Sequence, residues 1–164
     1  MGRRVGASRA PGFTLIEMLA VLSVIAILAM MALPSYMDRV VREQVVEALP
    51  LADIAKPPVE AAWRNGTPLP VNNASAGLPA ADKIVNQRVK SISVDRGAIH
   101  VEFGNQAHRS LQGKVLTLRP AGVEDARVVP VTWLCAGAAA PDKMTAQGEN
   151  RTTVPPGLLP LRCR

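Results

Sequence analysis

Histidine, cysteine and aromatic residues are scarce in this chain of 164 residues, which has two His, two Cys, two Phe, two Trp and one Tyr. His100 and His108 have no carboxylate cluster beside them at ligand spacing, so neither a metal centre nor an acid–base pair is assembled in the sequence. No Cys-x-x-Cys occurs, which removes dithiol redox chemistry, and no Walker A pattern occurs, which removes the common phosphate cradle. Phe103 and Trp133 read as core residues, leaving few rings on which bases could stack. No catalytic residue, metal or cofactor is expected, and the chain reads as something other than an enzyme. Acid is also missing locally. Residues 1–12 carry Arg3, Arg4 and Arg9 and no carboxylate, the charge distribution that holds a leader on the cytoplasmic side of a membrane.

Immediately after that basic stretch comes an apolar run of 21 residues, Phe13 to Leu33, interrupted by one acid, Glu17. At about 1.5 Å per residue the run reaches roughly 31 Å, close to the thickness of the hydrocarbon layer. A cleaved secretory signal would be shorter and end in small residues; here Met30, Met31, Ala32, Leu33 and Pro34 lead into a further helical pattern. The run therefore reads as a retained membrane-spanning segment. A carboxylate in such a segment is costly and marks a partner or a function.

From Ser35 to Trp63, Val41, Val45, Ala48, Leu49 and Ala52 recur at helical spacing, with Arg42, Glu43, Glu47 and Asp53 between them. A single helix is expected to continue out of the membrane, bent or briefly broken where Pro34, Pro50 and Pro57-Pro58 remove backbone donors. Unbroken from Phe13 to Trp63 it would measure roughly 75 Å, more than a head of this size could bury. Asn65 to Ala81 is rich in Gly, Pro, Asn and Ser and reads as a loop. The Asn-x-Ser/Thr triplets at Asn65, Asn73 and Asn150 read as chance occurrences in polar loops.

Strands are expected next. Ile92 and Val94 precede the turn Asp95-Arg96-Gly97, and Ile99, Val101 and Phe103 follow it, the pattern of a hairpin. "KVLTL" sets Leu116 and Leu118 in phase; after a turn near Ala121-Gly122, "RVVPVTWLC" sets Val129, Val131, Trp133 and Cys135 on one face. The sum is a four-stranded antiparallel sheet whose apolar face is covered by the outer half of the long helix, an α+β fold. Cys135 and Cys163 both lie far beyond the membrane run, so export of the head to an oxidising compartment pairs them.

"PGFTLIE" (Pro11 to Glu17) resembles the processing motif of the type IV pilins, of the IVa class: a short basic leader ending in Gly, then Phe, then Glu at the fifth mature position. The likeness extends to Pro34 and Tyr36, to "VEAAWRNGTPLPVNNASAGL", "VKSISVDRGAIHVEF", "VTWLC" and the closing "LPLRCR", and so covers nearly the whole chain. It implies cleavage by a prepilin peptidase between Gly12 and Phe13, N-methylation of Phe13, and assembly guided by Glu17. The implied division is a leader at 1–12, a membrane and filament-core helix at 13–34 kinked at Pro34, its amphipathic continuation at 35–64, and a head at 65–164. The implied partners are further copies of the chain in a helical filament, the peptidase, membrane lipid before assembly, and an inner-membrane platform with motor ATPases. The subunit would wait in the inner membrane with its head in the periplasm and end in an extracellular fibre serving adhesion, twitching motility or DNA uptake.

Two alternatives follow from the same residues. Residues 65–164 hold 12 basic against 7 acidic side chains, a net +5, and Lys83, Arg88, Lys90, Arg151, Arg162 and Arg164 would be the contacts of a minor, DNA-binding pilin. A type II secretion pseudopilin shares the N-terminal motif, and the terminal Cys163 argues against it.

Overall fold

The computed structural model describes residues 12–164, apart from the side chains of residues 33–35. Of the expected leader, residues 1–11 lie outside the described residues. The chain divides into two compact units, one ending at Met37 and the other formed by Asp38–Arg164.

Helix α1 spans Leu15–Ala52, the backbone remaining helical across Pro34, a 3-10 turn follows at Asp53–Ala55, and α2 spans Lys56–Asn65. The brief break expected among the prolines is this 3-10 turn, which divides the run to Trp63 into two helices. Pro57 and Pro58 lie in the first turn of α2, where a missing N–H costs nothing because no intrahelical acceptor exists for it. They start a helix rather than bend one. Gly66 ends α2 in the left-handed region (φ 68°), with its N–H on the Trp63 carbonyl and the Thr67 N–H on the Ala62 carbonyl, both at 3.1 Å. That pair of bonds is a Schellman motif, which closes the orphan carbonyls of the last turn.

Within the Asp38–Arg164 unit, Val41, Val45, Ala48, Leu49, Ala52, Ala55 and Val59 form one buried stripe. It meets the inner face of an antiparallel sheet in the order β1 (Val89–Asp95), β2 (Ala98–Phe103), β3 (Val115–Gly122), β4 (Thr132–Cys135). The first hairpin forms as its sequence requires: Asp95 pairs with Ala98, and the two loop residues, Arg96 (φ 48°) and Gly97 (φ 83°), are both left-handed. A two-residue turn of that kind matches the right-handed twist of the strands. Ile92, Val94, Ile99, Val101, Phe103, Leu116 and Leu118 are all buried against the helical stripe.

Two details differ from the sequence reading. A fifth strand, β5 (Thr145–Ala146), pairs with Ala121 and Gly122 of β3, so the expected turn at Ala121-Gly122 is strand. The β4 strand starts only at Thr132, and Val128 and Val129 stand 84% and 37% exposed in the preceding turn. Pro130 explains this: it lacks a ladder donor and restricts Val129, whose N–H closes a turn on the Ala126 carbonyl at 2.9 Å.

The outer edge of β1 is engaged by a side chain. Asn73 donates from Nδ2 to the Ile92 carbonyl (2.9 Å) and accepts the Val94 N–H on Oδ1 (2.7 Å), as a neighbouring strand would. On the β2 side, Asn105 ties the entry of β1, donating to the Asn86 and Val89 carbonyls at 2.7 and 2.9 Å. Covering an edge as Asn73 does removes a template for unwanted strand pairing. It also spends the Asn73 amide inside the fold, so the middle one of the three Asn-x-Ser/Thr triplets is buried.

Cys135 and Cys163 form a disulfide across a sequence separation of 28, as expected. Closing a loop of that length stabilises the head by roughly 3–4 kcal/mol in the chain-entropy picture. Trp63 lies flat on Gly122, where a Cβ would fall 2.3 Å from the indole ring. We expect Gly122→Ala to push the ring off the sheet and cost about 1–3 kcal/mol, read as a lowered denaturation midpoint with unchanged slope.

Candidate functional site

At the start of α1, Thr14 stands immediately before the first helical residue. Its hydroxyl accepts the Glu17 N–H at 3.3 Å and its carbonyl accepts the Met18 N–H at 3.2 Å, the first bond of the helix. Thr14 is therefore the N-cap, and Glu17 falls at the third helical position, the Thr-x-x-Glu spacing of a capping box. A carboxylate in the first turn also faces the positive end of the helix dipole. The sequence reading named Gly12, Phe13 and Glu17 and missed Thr14, although Thr-x-x-Glu ahead of an apolar run is a recognisable helix start.

Gly12 and Phe13 precede the helix, both exposed, and a Cβ at Gly12 would meet nothing within 4 Å. From Phe13 to Met31 every large apolar side chain is between 45% and 79% exposed, on all sides of the helix. Among the described residues this is the one helix long and apolar enough to cross a membrane, with a mean hydropathy of 2.5 in its most apolar window. A helix apolar all round must be covered by lipid or by other protein.

The cations expected to form a nucleic-acid surface are not brought together as a free patch. Lys83 stands 3.9 Å from Asp82, Arg88 3.5 Å from Glu47 and Lys90 2.8 Å from Glu102. Arg151 bridges Asp95 and Glu149. Arg164 donates to the carbonyls of Leu159 and Gly157, both at 3.2 Å. Arg162 stays exposed. The Lys90 ammonium and the Ser91 hydroxyl hold Glu102 below the usual carboxylate range, and Arg96, then Arg151, do the same for Asp95. Trp133 is half-buried, its Nε1–H donating to Glu60 at 2.8 Å and its ring facing the Lys56 ammonium, so the ring is already engaged within the head. Among the described residues no group of three or more His, Cys, Asp or Glu is placed to hold a metal ion.

A capped apolar helix carrying one acid, set ahead of a disulfide-closed α+β head, defines a structural subunit anchored or assembled through its helix. Comparison with known proteins agrees. The family model "Pilin (bacterial filament)" matches residues 41–164, and the "Prokaryotic N-terminal methylation motif" matches residues 8–33. The chain is 35% identical to a fimbrial protein of Neisseria meningitidis serogroup B, over 86% of this chain and 81% of that one. It is 34% identical to the type IV major pilin protein PilE1 of Neisseria gonorrhoeae, over 93% and 86%. Fimbrial protein EcpC of Eikenella corrodens is 33% identical over 88% and 94%. The chain belongs to the pilin family and is a type IV pilin, a structural subunit of a surface pilus rather than an enzyme.

The cap has a measurable consequence. Removing the hydroxyl in Thr14→Ala should cost about 1 kcal/mol locally, seen as roughly fivefold faster hydrogen exchange at the Glu17 amide in micelles, with the head amides unchanged.

Proposed function

We propose that the chain is processed by a prepilin peptidase between Gly12 and Phe13 and N-methylated on the new Phe13 amine. The Phe13–Leu33 helix then resides in the inner membrane with the head in the periplasm, and later moves into the core of the fibre. The exposed, side-chain-free approach at Gly12 supports the cut, because a protease needs the backbone at close range. The observation that carries the reading is the apolar helix start exposed on every side with a single acid in its first turn.

In a fibre core of such helices, packed side by side and staggered, the Glu17 carboxylate of one subunit neutralises the Phe13 amine of its neighbour. Only the staggered register that brings them together avoids two unpaired buried charges, so the pair selects register as well as partner. A kink at Pro34, where the ring removes an intrahelical bond, lets the helix adjust its direction as it enters the fibre. Extension and retraction come from an inner-membrane platform with motor ATPases, and the fibre serves adhesion, twitching motility or DNA uptake. The head's paired cations do not favour DNA binding as its specialised task.

Mass spectrometry of sheared filaments should show a dominant subunit beginning at methylated Phe13 and lacking two hydrogens at its cysteines. Glu17→Ala should leave cleavage largely intact while abolishing ordered fibres; normal fibres from that variant would sink the pairing argument.

A further inference from the structure

Between β5 and the terminal disulfide, residues 147–153 cross the outer face of the sheet, the face turned away from the helix. Gln147 donates its N–H to the Pro120 carbonyl at 2.8 Å. Gly148 (φ 79°) passes so close to β2 that a Cβ would lie 2.6 Å from the Ala98 methyl. Arg151 donates its N–H to the Thr117 hydroxyl at 3.0 Å, Thr152 accepts the Thr117 N–H at 3.1 Å, and Thr153 donates to the Val115 carbonyl at 2.8 Å. The segment is a strap, tied to β3 along its length.

Beneath the strap lies His100. Its Nδ1 is 2.9 Å from the Thr117 hydroxyl, the same oxygen that accepts the Arg151 N–H, and its Nε2 is buried with no hydrogen-bond partner. One hydroxyl therefore couples the imidazole to the strap. A neutral imidazole fits, since it carries a single N–H. An imidazolium would present two N–H donors and a charge to a site that lacks an acceptor at Nε2.

The charged groups facing His100 are Asp95 from β1 and Arg151 and Glu149 from the strap. The two carboxylates are already engaged by the Arg151 guanidinium. Burial, and then the Arg151 cation, hold His100 below its usual value near 6.5, against smaller opposing effects of Asp95 and Glu149.

We propose that His100 is a proton-operated latch: mild acid charges the imidazole, frees the Arg151–Thr153 strap from β3, and exposes the outer sheet face of the pilus subunit's head. The sign follows from the depressed pKa. The latched state binds fewer protons than the open one, so its stability is complete above pH 6.5 and declines as pH falls through the folded value. Asp95, held low by Arg96 and Arg151, stays ionised through that window, so loss of its ion pairs belongs to a separate, more acid transition.

The test is amide hydrogen exchange of the full chain in detergent, corrected for intrinsic rates, between about pH 7.5 and about pH 5. Protection at Gln147, Arg151 and Thr153 should fall several-fold on acidification while β1 and β2 amides hold, and His100→Gln should make strap protection independent of pH. Constant strap protection in the wild type, or the same loss in His100→Gln, overturns the latch. Should His100→Gln fail to fold, Gly148→Ala supplies the second reading. Its Cβ lifts the strap, so the His100 titration followed by NMR should move up toward 6.5; an unmoved titration overturns the proposal equally.

Discussion

An α-helix that is apolar on every side has no stable resting place in water, and from Leu15 to Met31 this chain is such a helix. Covering the thirteen large apolar side chains exposed between Phe13 and Met31 requires lipid or other helices of the same kind. The two environments differ in one respect that matters here. Lipid offers a carboxylate no counterion, whereas on the proposed processing a neighbouring pilin helix would offer the Phe13 amine. On the proposed assembly, Glu17 makes the fibre core favourable only in the register that joins the two charges, which turns a general hydrophobic demand into a specific geometry.

The head answers a different problem, that of being soluble and closed. Its helical stripe from Val41 to Val59 is buried on one sheet face, both edges of β3 are taken by neighbours, and the free edge of β1 is engaged by Asn73. A subunit destined to stand beside many copies of itself gains from a filled β1 edge, because edge pairing there would compete with the intended contacts. The disulfide then holds the tail, where among the described residues only a two-residue strand and short 3-10 turns supply regular structure beyond β4.

The strap and the helix start show how polar residues act in an otherwise apolar design. The Thr14 hydroxyl satisfies one donor that a helix N-terminus leaves open, and that of Thr117 serves two groups at once, the strap and the imidazole below it. In each case a hydroxyl is used where a charge would be expensive. The head cations do the reverse: most of those named as possible DNA contacts face carboxylates instead of standing as unpaired charge.

Sequence alone determined whatever repeats at a local period or rests on a short motif. The apolar run with its lone Glu17, the stripe from Val41 to Ala52, the Asp95-Arg96-Gly97 hairpin and the Cys135–Cys163 pairing were legible because each depends on neighbours a few residues apart or on the compartment the head enters. The Thr14 cap was equally local and simply overlooked. Tertiary structure decided the rest. Valines 128 and 129 look like strand residues, yet Pro130 denies them a ladder; Pro57 and Pro58 look like breakers, yet open α2 because a turn at Asp53–Ala55 precedes them. Asn73 at a sheet edge, Gly148 against Ala98, and His100 under Arg151 join residues between 19 and 51 positions apart. Such contacts are selected by the packing of the whole head, and no local pattern carries them.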